Sequence, residues 1–281
     1  MRIGFVGAGR MGRPMVARLV AAGHDVRVLA RTEPARKDLL DAGATPVGSL
    51  DEVADGAAAV LVCVHTDGQV REVCLDDGLV DAVPAGAVLI VHTTGSPRTV
   101  DALVERAGGR GIDVVDAPVS GGPHNIAAGS ITVFVGGSDE ALAKARPVLA
   151  AYADPILHVG ARGSGQLVKL LNNAIFAANL GLIAEAVGLA NQLGVAEPVL
   201  LDALRNGSAA SRALDGVAAR GSAALFVESV GEFIGKDVAV VRAVVGELGA
   251  DLGALGTAHQ ILAGLVSVPE QASLLVATKS P

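Results

Sequence analysis

The sequence has few aromatic residues, and this scarcity limits how its core can be built. Phe, Tyr and Trp together make up 2% of the 281 residues, and Trp is absent altogether. A core centred on large rings is therefore excluded, so Ala, Val, Leu and Ile must fill the interior. The 36 glycines would allow neighbouring backbones to approach closely.

Cysteine is nearly absent, since Cys63 and Cys74 are the only two in the chain. Their separation matches no metal-binding spacing, and two isolated thiols make no disulfide framework. We interpret them as reduced cysteines, one on a strand and the other on a surface helix. The sequence therefore predicts no metal site.

Positive charge is in the minority, because 22 Lys and Arg residues face 29 Asp and Glu residues. The formal net charge of -7 and the pI near 5.3 argue against a partner such as nucleic acid or an anionic membrane. A small anionic substrate remains compatible with this charge, since a few amides and cations inside a cleft can reverse the local field.

The chain also lacks a leader-like segment, because a strand-like run begins at Ile3. The mean hydropathy of +0.51 raises the question of a membrane helix. The best candidate runs from Leu167 to Val195, but polar residues that would be costly in lipid interrupt it, namely Lys169, Asn172, Asn173, Asn179, Glu185 and Asn191. We therefore predict a buried helix, no membrane partner and a cytoplasmic protein.

The first part of the chain alternates short apolar runs with helix-like segments. The apolar runs are Ile3–Val6, Val26–Leu29, Val60–Val64, Val88–Val91, Ile112–Val115 and Ile131–Val135. Several are apolar on consecutive residues, which is typical of parallel strands covered on both faces. The helix-like segments between them include Met11–Ala22, Pro34–Ala42 and Thr99–Ala107. This rhythm predicts a doubly wound, Rossmann-type α/β domain over residues 1–160.

The pattern changes after Gly160, where no convincing strand follows. Helical patterns cover Gly165–Leu193, Pro198–Arg205 and Lys236–Leu248, with turn signals at Asn206-Gly207, Gly221-Ser222 and Pro269. We predict an all-helical domain over residues 161–281 that binds substrate. Its many Ala and Leu residues suggest a buried subunit interface, and hence a homodimer or a homotetramer.

A glycine-rich turn follows the first predicted strand and precedes the first predicted helix. It reads Gly7-Ala-Gly9-Arg10-Met11-Gly12, the G-x-G-x-x-G spacing of dinucleotide-binding turns. Gly7 would permit the tight turn, Gly9 the approach of a pyrophosphate, and Gly12 close packing of helix on strand. Free amides at the helix N-terminus would attract the phosphates. The alternative is a turn that is merely rich in glycine.

The end of the second predicted strand bears on the choice between NAD and NADP. An acidic residue there would bind the ribose 2′-hydroxyl of NAD, but this chain has Arg31 and Thr32. Both could hold a 2′-phosphate, and Arg36 and Lys37 could add positive potential. We therefore favour NADP(H), although Arg31 could also be an ordinary exposed arginine.

Two later segments carry polar groups that a structural role alone would not require. Ser120-Gly121-Gly122 follows a predicted strand and could present a hydroxyl and successive amides to an anion. Further on, Gln166, Lys169 and Asn173 are spaced to share one helix face. A lysine partly removed from water has its pKa brought towards the range of a general acid or base. The alternatives are a flexible crossover loop and a solvated helix face.

These segments, taken in order, resemble the β-hydroxyacid dehydrogenase family. The matching motifs are Gly7–Met15 (GAGRMGRPM), Asp116–Gly122 (DAPVSGG), Lys169–Asn173 (KLLNN) and Lys236-Asp237, the last placed at the start of a late helix. The family includes 3-hydroxyisobutyrate dehydrogenase, tartronate semialdehyde reductase and the glyoxylate/succinic semialdehyde reductases.

The resemblance implies a role for each matching residue. It makes Lys169 catalytic, and it makes Ser120, Gly121, Gly122 and Asn173 ligands of the substrate carboxylate and hydroxyl. It places Thr94 and Lys236 at the cofactor, and the Val64-His65-Thr66 turn along its adenosine side. Members with an Arg-Thr pair after the second strand tend to use NADP(H), which agrees with the charge argument.

This chain departs from the family pattern directly after the Ser-Gly-Gly turn. Pro123-His124-Asn125-Ile126 stands where smaller residues are usual, which leaves the substrate open. His124 is either a substrate contact or a surface loop residue.

Three other functions compete with a hydroxyacid dehydrogenase. An NADPH-dependent imine reductase would typically have another residue in place of Lys169. A sugar-acid dehydrogenase that decarboxylates oxidatively would have a His near the lysine and a longer helical domain. A sensor or scaffold that binds a dinucleotide without catalysis would generally have lost the lysine.

Overall fold

The computed structural model describes residues 1–266, apart from the side chains of residues 230–233 and 264–266. The turn predicted at Pro269 lies outside the described residues. The chain forms two compact units, Met1–Lys169 and Leu170–Pro281.

The first unit is built on one sheet of nine strands. They are β1 (Arg2–Val6), β2 (Asp25–Leu29), β3 (Thr45–Val47), β4 (Ala59–Val62), β5 (Val88–Val91), β6 (Asp113–Asp116), β7 (Val119–Ser120), β8 (Ile131–Gly136) and β9 (Ala153–Gly160). The order is β3-β2-β1-β4-β5-β6-β8-β7, and β9 pairs with β8. Strands β1 to β6 pair in parallel, whereas β8 runs antiparallel to β6 and β7. The order 3-2-1-4-5-6 is that of doubly wound dinucleotide-binding folds, so the predicted fold class is confirmed.

The central strands are buried on both faces, which explains their consecutive apolar residues. In β4, Ala59 and Leu61 belong to one core cluster, while Val60 and Val62 belong to the other. Successive side chains of a strand point to opposite faces, so each apolar run supplies both cores at once. The aliphatic composition follows from this arrangement.

Most helices of the first unit begin with a hydroxyl cap. They are α1 (Gly12–Ala21), α2 (Glu33–Asp41), α3 (Leu50–Ala54), α4 (Asp67–Arg71), α5 (Leu79–Ala82), α6 (Pro97–Ala107), α7 (Pro123–Ala127) and α8 (Asp139–Leu149). Five of them start after a Ser or Thr whose side chain accepts a first-turn N–H, namely Thr32, Ser49, Thr66, Ser96 and Ser138. Helix α1 begins after Met11 with no side-chain cap, which leaves the N–H groups before Arg13 without a side-chain acceptor.

Several features of the first unit differ from the sequence prediction. Strands β3, β7 and β9 were not predicted, because β3 and β7 are very short and most side chains of β9 are not buried. Cys74, predicted on a surface helix, lies buried in a π-helical turn, Glu72–Asp76. Burial raises the pKa of the Cys74 thiol to about 12, so this prediction was wrong about its environment.

Only helices follow Gly160 in the part of the chain that the structure describes. They are α9 (Ser164–Gln192), α10 (Glu197–Arg205), α11 (Arg212–Arg220), α12 (Ala223–Glu247) and α13 (Ala254–Val266). Helix α9 begins in the first unit and continues into the second. Lys236 was predicted near the start of a late helix, but it lies in the middle of α12. That helix begins earlier, after a left-handed Gly221 and an extended Ser222.

Helix α9 is long and apolar enough, by length and composition, to cross a membrane. Within the second unit, however, its Ala177, Leu180 and Ile183 pack into a core with residues of the helices that follow. Leu170 and Ala174 pack likewise with residues of α12. These contacts bury one face of the helix, whereas Leu171, Ile175 and Leu182 on the same helix are exposed.

Candidate active site

The glycine turn after β1 is tightly packed underneath and open above. Gly7 has a φ of +99°, and a Cβ there would meet the carbonyl oxygen of Cys63. A Cβ on Gly12 would meet the Gly7 carbonyl, and it would lie 2.9 Å from the Phe5 ring. At Gly9, by contrast, no described atom lies within 4 Å of such a Cβ. The turn therefore has the geometry of a backbone cradle for a pyrophosphate.

Two further residues predicted at the cofactor belong to the same turn. Arg10 is exposed and Met11 is half-buried. The N–H of Arg13 donates to the Gly9 carbonyl at 2.9 Å, so the turn passes directly into α1. The uncapped start of α1 therefore follows directly on this turn.

A cavity of about 290 Å³ opens beside this turn, at the carboxyl end of β2. Four predicted cofactor residues line it: Gly7, Arg31, Thr32 and Val64. Two charged residues that we did not predict, Arg13 and Glu72, line it as well. Arg13 also pairs with Asp38, their side chains 3.0 Å apart. The cavity has the position and the mixed lining expected for the adenosine half of a dinucleotide.

The turn after β4 is held by a capping box. The hydroxyl of Thr66 accepts the N–H of Gln69 at 3.2 Å, and the Gln69 side chain accepts the N–H groups of His65 and Thr66. His65 and Thr66 are both exposed, next to the Val64 that lines the cavity. These bonds fix the turn in place before any ligand binds.

A buried hydrogen-bonded pair, His92 and Tyr152, lies at the carboxyl end of β5. His92 Nδ1 lies 2.6 Å from the Ala117 carbonyl oxygen, so it must be the donor, and Nε2 lies 2.7 Å from the Tyr152 hydroxyl. Burial lowers the pKa of His92 to about 4, which keeps the ring neutral. The half-buried Thr94 follows two residues later, after Thr93, whose hydroxyl donates to the Val64 carbonyl at 2.9 Å.

The Ser-Gly-Gly turn lies after β6, with Ser120 ending the short strand β7. Gly121 has a φ of +128°, in the region that favours glycine. The N–H of Gly122 donates to Asn125 Oδ1 at 2.9 Å, so a substrate anion would have to compete with Asn125 for that group. The exposed His124 ring lies over the turn, since a Cβ on Gly122 would be 2.9 Å from its Cε1.

The first turn of α9 is fixed to the sheet by buried polar groups. Asp116 Oδ1 accepts the Gly163 N–H, and Oδ2 accepts the Gln166 N–H, both at 2.8 Å. Burial raises the pKa of the Asp116 carboxyl, and these amide donors oppose the rise. Lys169 follows three residues after Gln166 and is half-buried. Lys169 is thus in the described first unit, on a helix turn anchored at the carboxyl edge of the sheet.

The two remaining predicted site residues belong to the second unit. Asn173 is 7% exposed and accepts a bond from Asn172 at 3.2 Å through its Oδ1. Its buried Nδ2 has no hydrogen-bond partner among the described residues, which is unusual in a folded protein and points to an acceptor such as a ligand oxygen. Lys236 is half-buried on α12.

The sequence analysis named Asp116 and Gln166 within motifs but missed the hydrogen bonds that they make. Their bonding partners are distant in sequence and left no local signal. A cluster of three or more His, Cys, Asp or Glu side chains able to hold a metal is not found among the described residues.

Comparisons with known proteins match both parts of the chain. The family profile described as the NAD binding domain of 6-phosphogluconate dehydrogenase matches residues 2–160. The profile described as NAD-binding of NADP-dependent 3-hydroxyisobutyrate dehydrogenase matches residues 163–272.

Individual relatives agree with these profiles. An NAD-dependent L-serine dehydrogenase of Pseudomonas aeruginosa is 35% identical over 76% of this chain and 72% of its own length. A 3-hydroxyisobutyrate dehydrogenase of the same organism is 36% identical over the same shares. A solved structure of Mycobacterium tuberculosis 3-hydroxyisobutyrate dehydrogenase with L-serine has a TM-score of 0.83 at 30% identity, covering 94% of this chain and 92% of the other. A Streptomyces aurantiacus imine reductase, 20% identical with a TM-score of 0.67 over 94% of this chain and 93% of its own, shares the fold.

Proposed function

Because the chain belongs to the β-hydroxyacid dehydrogenase family, an oxidoreductase family that uses NAD(P), we propose that it interconverts a small β-hydroxy acid and its semialdehyde or keto form, with Lys169 as the general acid and base. The observation that carries this proposal is the anchored first turn of α9. The half-buried Lys169 follows on the next turn of this helix, at the carboxyl edge of a dinucleotide-binding sheet.

The residues present fit a nicotinamide dinucleotide. The open space above Gly9, the uncapped start of α1 and the cavity beside Arg31 suit the pyrophosphate and the adenosine half. When bound, the cofactor supplies the nicotinamide ring that accepts or donates the hydride. The roles proposed for His65, Thr66, Thr94 and Lys236 at the cofactor follow from the family resemblance.

The remaining steps belong to side chains of this chain. In oxidation, neutral Lys169 accepts the proton of the substrate hydroxyl at Nζ; in reduction, the ammonium form returns it to the nascent alkoxide. Ser120 and Gly121 orient the substrate carboxylate, and Gly122 joins them when its N–H is released from Asn125. The unsatisfied Nδ2 of Asn173 donates to a substrate oxygen.

The relatives suggest a substrate class. L-serine and 3-hydroxyisobutyrate, named for these relatives, both carry a primary alcohol on the carbon next to the α-carbon of a carboxylate. We propose that this chain acts on acids of that pattern. His124 and Asn125 beside the substrate turn would then select among the substituents on the α-carbon.

We propose NADP(H) as the preferred cofactor. Arg31 and Thr32 line the cavity at the end of β2, where a 2′-phosphate would lie. Arg31→Ala is expected to weaken NADPH binding about tenfold and to leave NADH binding unchanged. Tryptophan is absent, so affinities are measured by calorimetry. Equal losses for the two cofactors would contradict a 2′-phosphate contact.

The proposed chemistry is tested with Lys169→Ala. We expect turnover to fall by at least about 1,000-fold, because the proton transfer loses its acceptor, while NADPH affinity stays unchanged. Lys144→Ala, on α8, is the matched control and should retain full turnover. The substrates are L-serine, 3-hydroxyisobutyrate and their semialdehydes, followed by cofactor absorbance. A Lys169→Ala enzyme with unchanged turnover would disprove the proposed role.

Two other functions are separated by the same assay. Reduction of cyclic imines in preference to semialdehydes would indicate an imine reductase. NADPH binding without consumption of any substrate would indicate a sensor or scaffold.

The other partners and the location stand as proposals. Large apolar side chains of the second unit are exposed, among them Leu182, Leu189 and Leu193. We propose that they form a homodimer or homotetramer interface, which light scattering after size exclusion would measure. We also propose a cytoplasmic protein without nucleic-acid or membrane partners, which cell fractionation would test.

A further inference from the structure

Asp116 acts as a cap for a helix that begins far away in sequence. The first N–H groups of any helix lack partners within the helix, and a nearby side chain usually caps them. For α9 the acceptor is a fully buried carboxylate on β6, whose two oxygens take the N–H groups of Gly163 and Gln166 at 2.8 Å each. A buried carboxylate is costly unless donors surround it, so these two bonds offset the cost of burying Asp116.

Gln166 also attaches the first turn of α9 to the loop that follows a second strand, β5. Its side chain is 2% exposed; Oε1 accepts the N–H of Gly95 at 2.9 Å, and Nε2 donates to the Thr93 carbonyl at 2.8 Å. Through its backbone Gln166 therefore binds β6, and through its side chain it binds the loop after β5. That loop also carries Thr94.

Glycines at this junction leave no space in which the helix could slide. A Cβ on Gly165 would lie 2.6 Å from the Phe134 carbonyl oxygen and 2.7 Å from Asp116 Oδ2. A Cβ on Gly136 would lie 2.5 Å from Asp116 Oδ1 and 2.8 Å from the Gly165 nitrogen. Backbone packs directly on backbone here, so the helix start has one position.

We infer that Asp116 and Gln166 are positioning residues that fix the Lys169 amine relative to the loop after β5. Lys169 lies three residues beyond Gln166, which is about 4.5 Å along the helix axis, so little flexibility separates the two. The catalytic consequence rests on the proposed function of Lys169, whereas the positioning itself does not.

Two substitutions remove hydrogen bonds that attach the first turn of α9 to the sheet, with little change in the shape of the side chain. Asp116→Asn keeps one oxygen acceptor but turns an NH₂ group towards the second N–H donor. Gln166→Met keeps the length of the side chain and removes both bonds to the loop. The matched controls are Asp113→Asn, at the other end of β6, and Gln192→Met, at the other end of α9.

The first readout does not depend on activity. Competitive acetylation followed by mass spectrometry measures how fast the Lys169 amine is labelled, with the exposed Lys37 on α2 as the internal reference. Hydrogen exchange of residues 163–169 reports whether the first turn has opened. We expect both variants to label Lys169 severalfold faster and to exchange these amides faster, while the controls match the wild type.

The second readout uses turnover on the best substrate of the panel. In both variants kcat should fall about 10–100-fold, and the solvent isotope effect on kcat should rise because proton transfer becomes limiting. In Asp116→Asn, which keeps the Gln166 bonds to the loop of Thr94, KM for the cofactor should stay unchanged. A general loss of stability would lower the active fraction without changing that isotope effect.

The outcomes separate the inference from the proposed function. Unchanged Lys169 labelling in both folded variants would overturn the positioning role, whatever the enzyme does. Faster labelling with unchanged kcat and isotope effect would overturn its importance for catalysis. A wild type inactive on every substrate would defeat the proposed function, while the labelling result would still decide the positioning. If Asp116→Asn does not fold, Gln166→Met carries the test.

Discussion

Two glycine-rich segments precede helices in this protein, and they serve opposite purposes. Before α1, the space above Gly9 is open and no side chain caps the helix. Before α9, the space beside Gly165 is filled by the protein itself, and the first amides are bonded to Asp116. The first helix start has the geometry to receive a phosphate, whereas the second already holds an internal carboxylate.

The comparison shows that glycine content does not reveal what a helix N-terminus binds. Both sites offer N–H groups and partial positive charge to an anion. The difference depends on whether a residue distant in sequence supplies that anion.

The largest expected effect comes from filling the closed site. Gly165→Ala should destabilise the fold by about 3 kcal/mol, because the new methyl group meets the Phe134 carbonyl and the Asp116 carboxylate. Urea unfolding measures this loss. Gly188→Ala, later in the same helix with no described atom near the new methyl group, should instead gain about 0.5–1 kcal/mol. Equal stabilities would mean that the space beside Gly165 is not filled as described.

A methyl group added at the open site should leave stability nearly unchanged and weaken cofactor binding instead. Gly9→Ala should leave the unfolding free energy nearly unchanged, since the methyl group enters open space. It should weaken NADPH binding about 30-fold, because the backbone can no longer approach the pyrophosphate. Calorimetry on the folded variant measures the change. Normal affinity would show that the phosphates bind elsewhere.

The smallest effect concerns the neutral His92 beneath the loop that Gln166 holds. Its folded pKa of about 4 lies below the ordinary 6.5, so at lower pH the unfolded chain binds a proton that the folded chain does not. The free energy that the neutral His92 ring contributes to folding is fully present above pH 6.5 and is lost as the pH falls towards 4. From about pH 7.5 to about pH 5 the loss should be about 2 kcal/mol relative to His92→Gln. Parallel pH profiles for the two proteins would contradict it.

Elements whose signals are local were predicted from the sequence. The consecutive apolar residues of β4 and β5 indicated strands covered on both faces, and the two core clusters show why. The change to helices after Gly160 was also predicted, because a long apolar periodicity replaces the short runs.

Features that depend on distant partners were not predicted. Strand β9 is recognisable only by its pairing with β8, since its own side chains are mostly exposed. Asp116 and Gln166 bond to partners 47 and 73 residues away in sequence. The bond from the Gly122 N–H to Asn125 spans only three residues and was missed although its partner is near in sequence. In each case the sequence supplied the chemical group but gave no sign of its partner.

The carboxylate of Asp116 also has a consequence for how the molecule can be divided. Two of its donors, the N–H groups of Gly163 and Gln166, come 47 and 50 residues later in the chain. The Asp116 carboxyl therefore gains these two hydrogen bonds only after the first turn of α9 has been synthesised. A fragment ended at residue 160 would lack the Gly163 and Gln166 donors to this carboxyl, while one ended after Lys169 would keep both. Recombination between relatives should therefore preserve function best when the crossover lies within this helix, beyond its first turn.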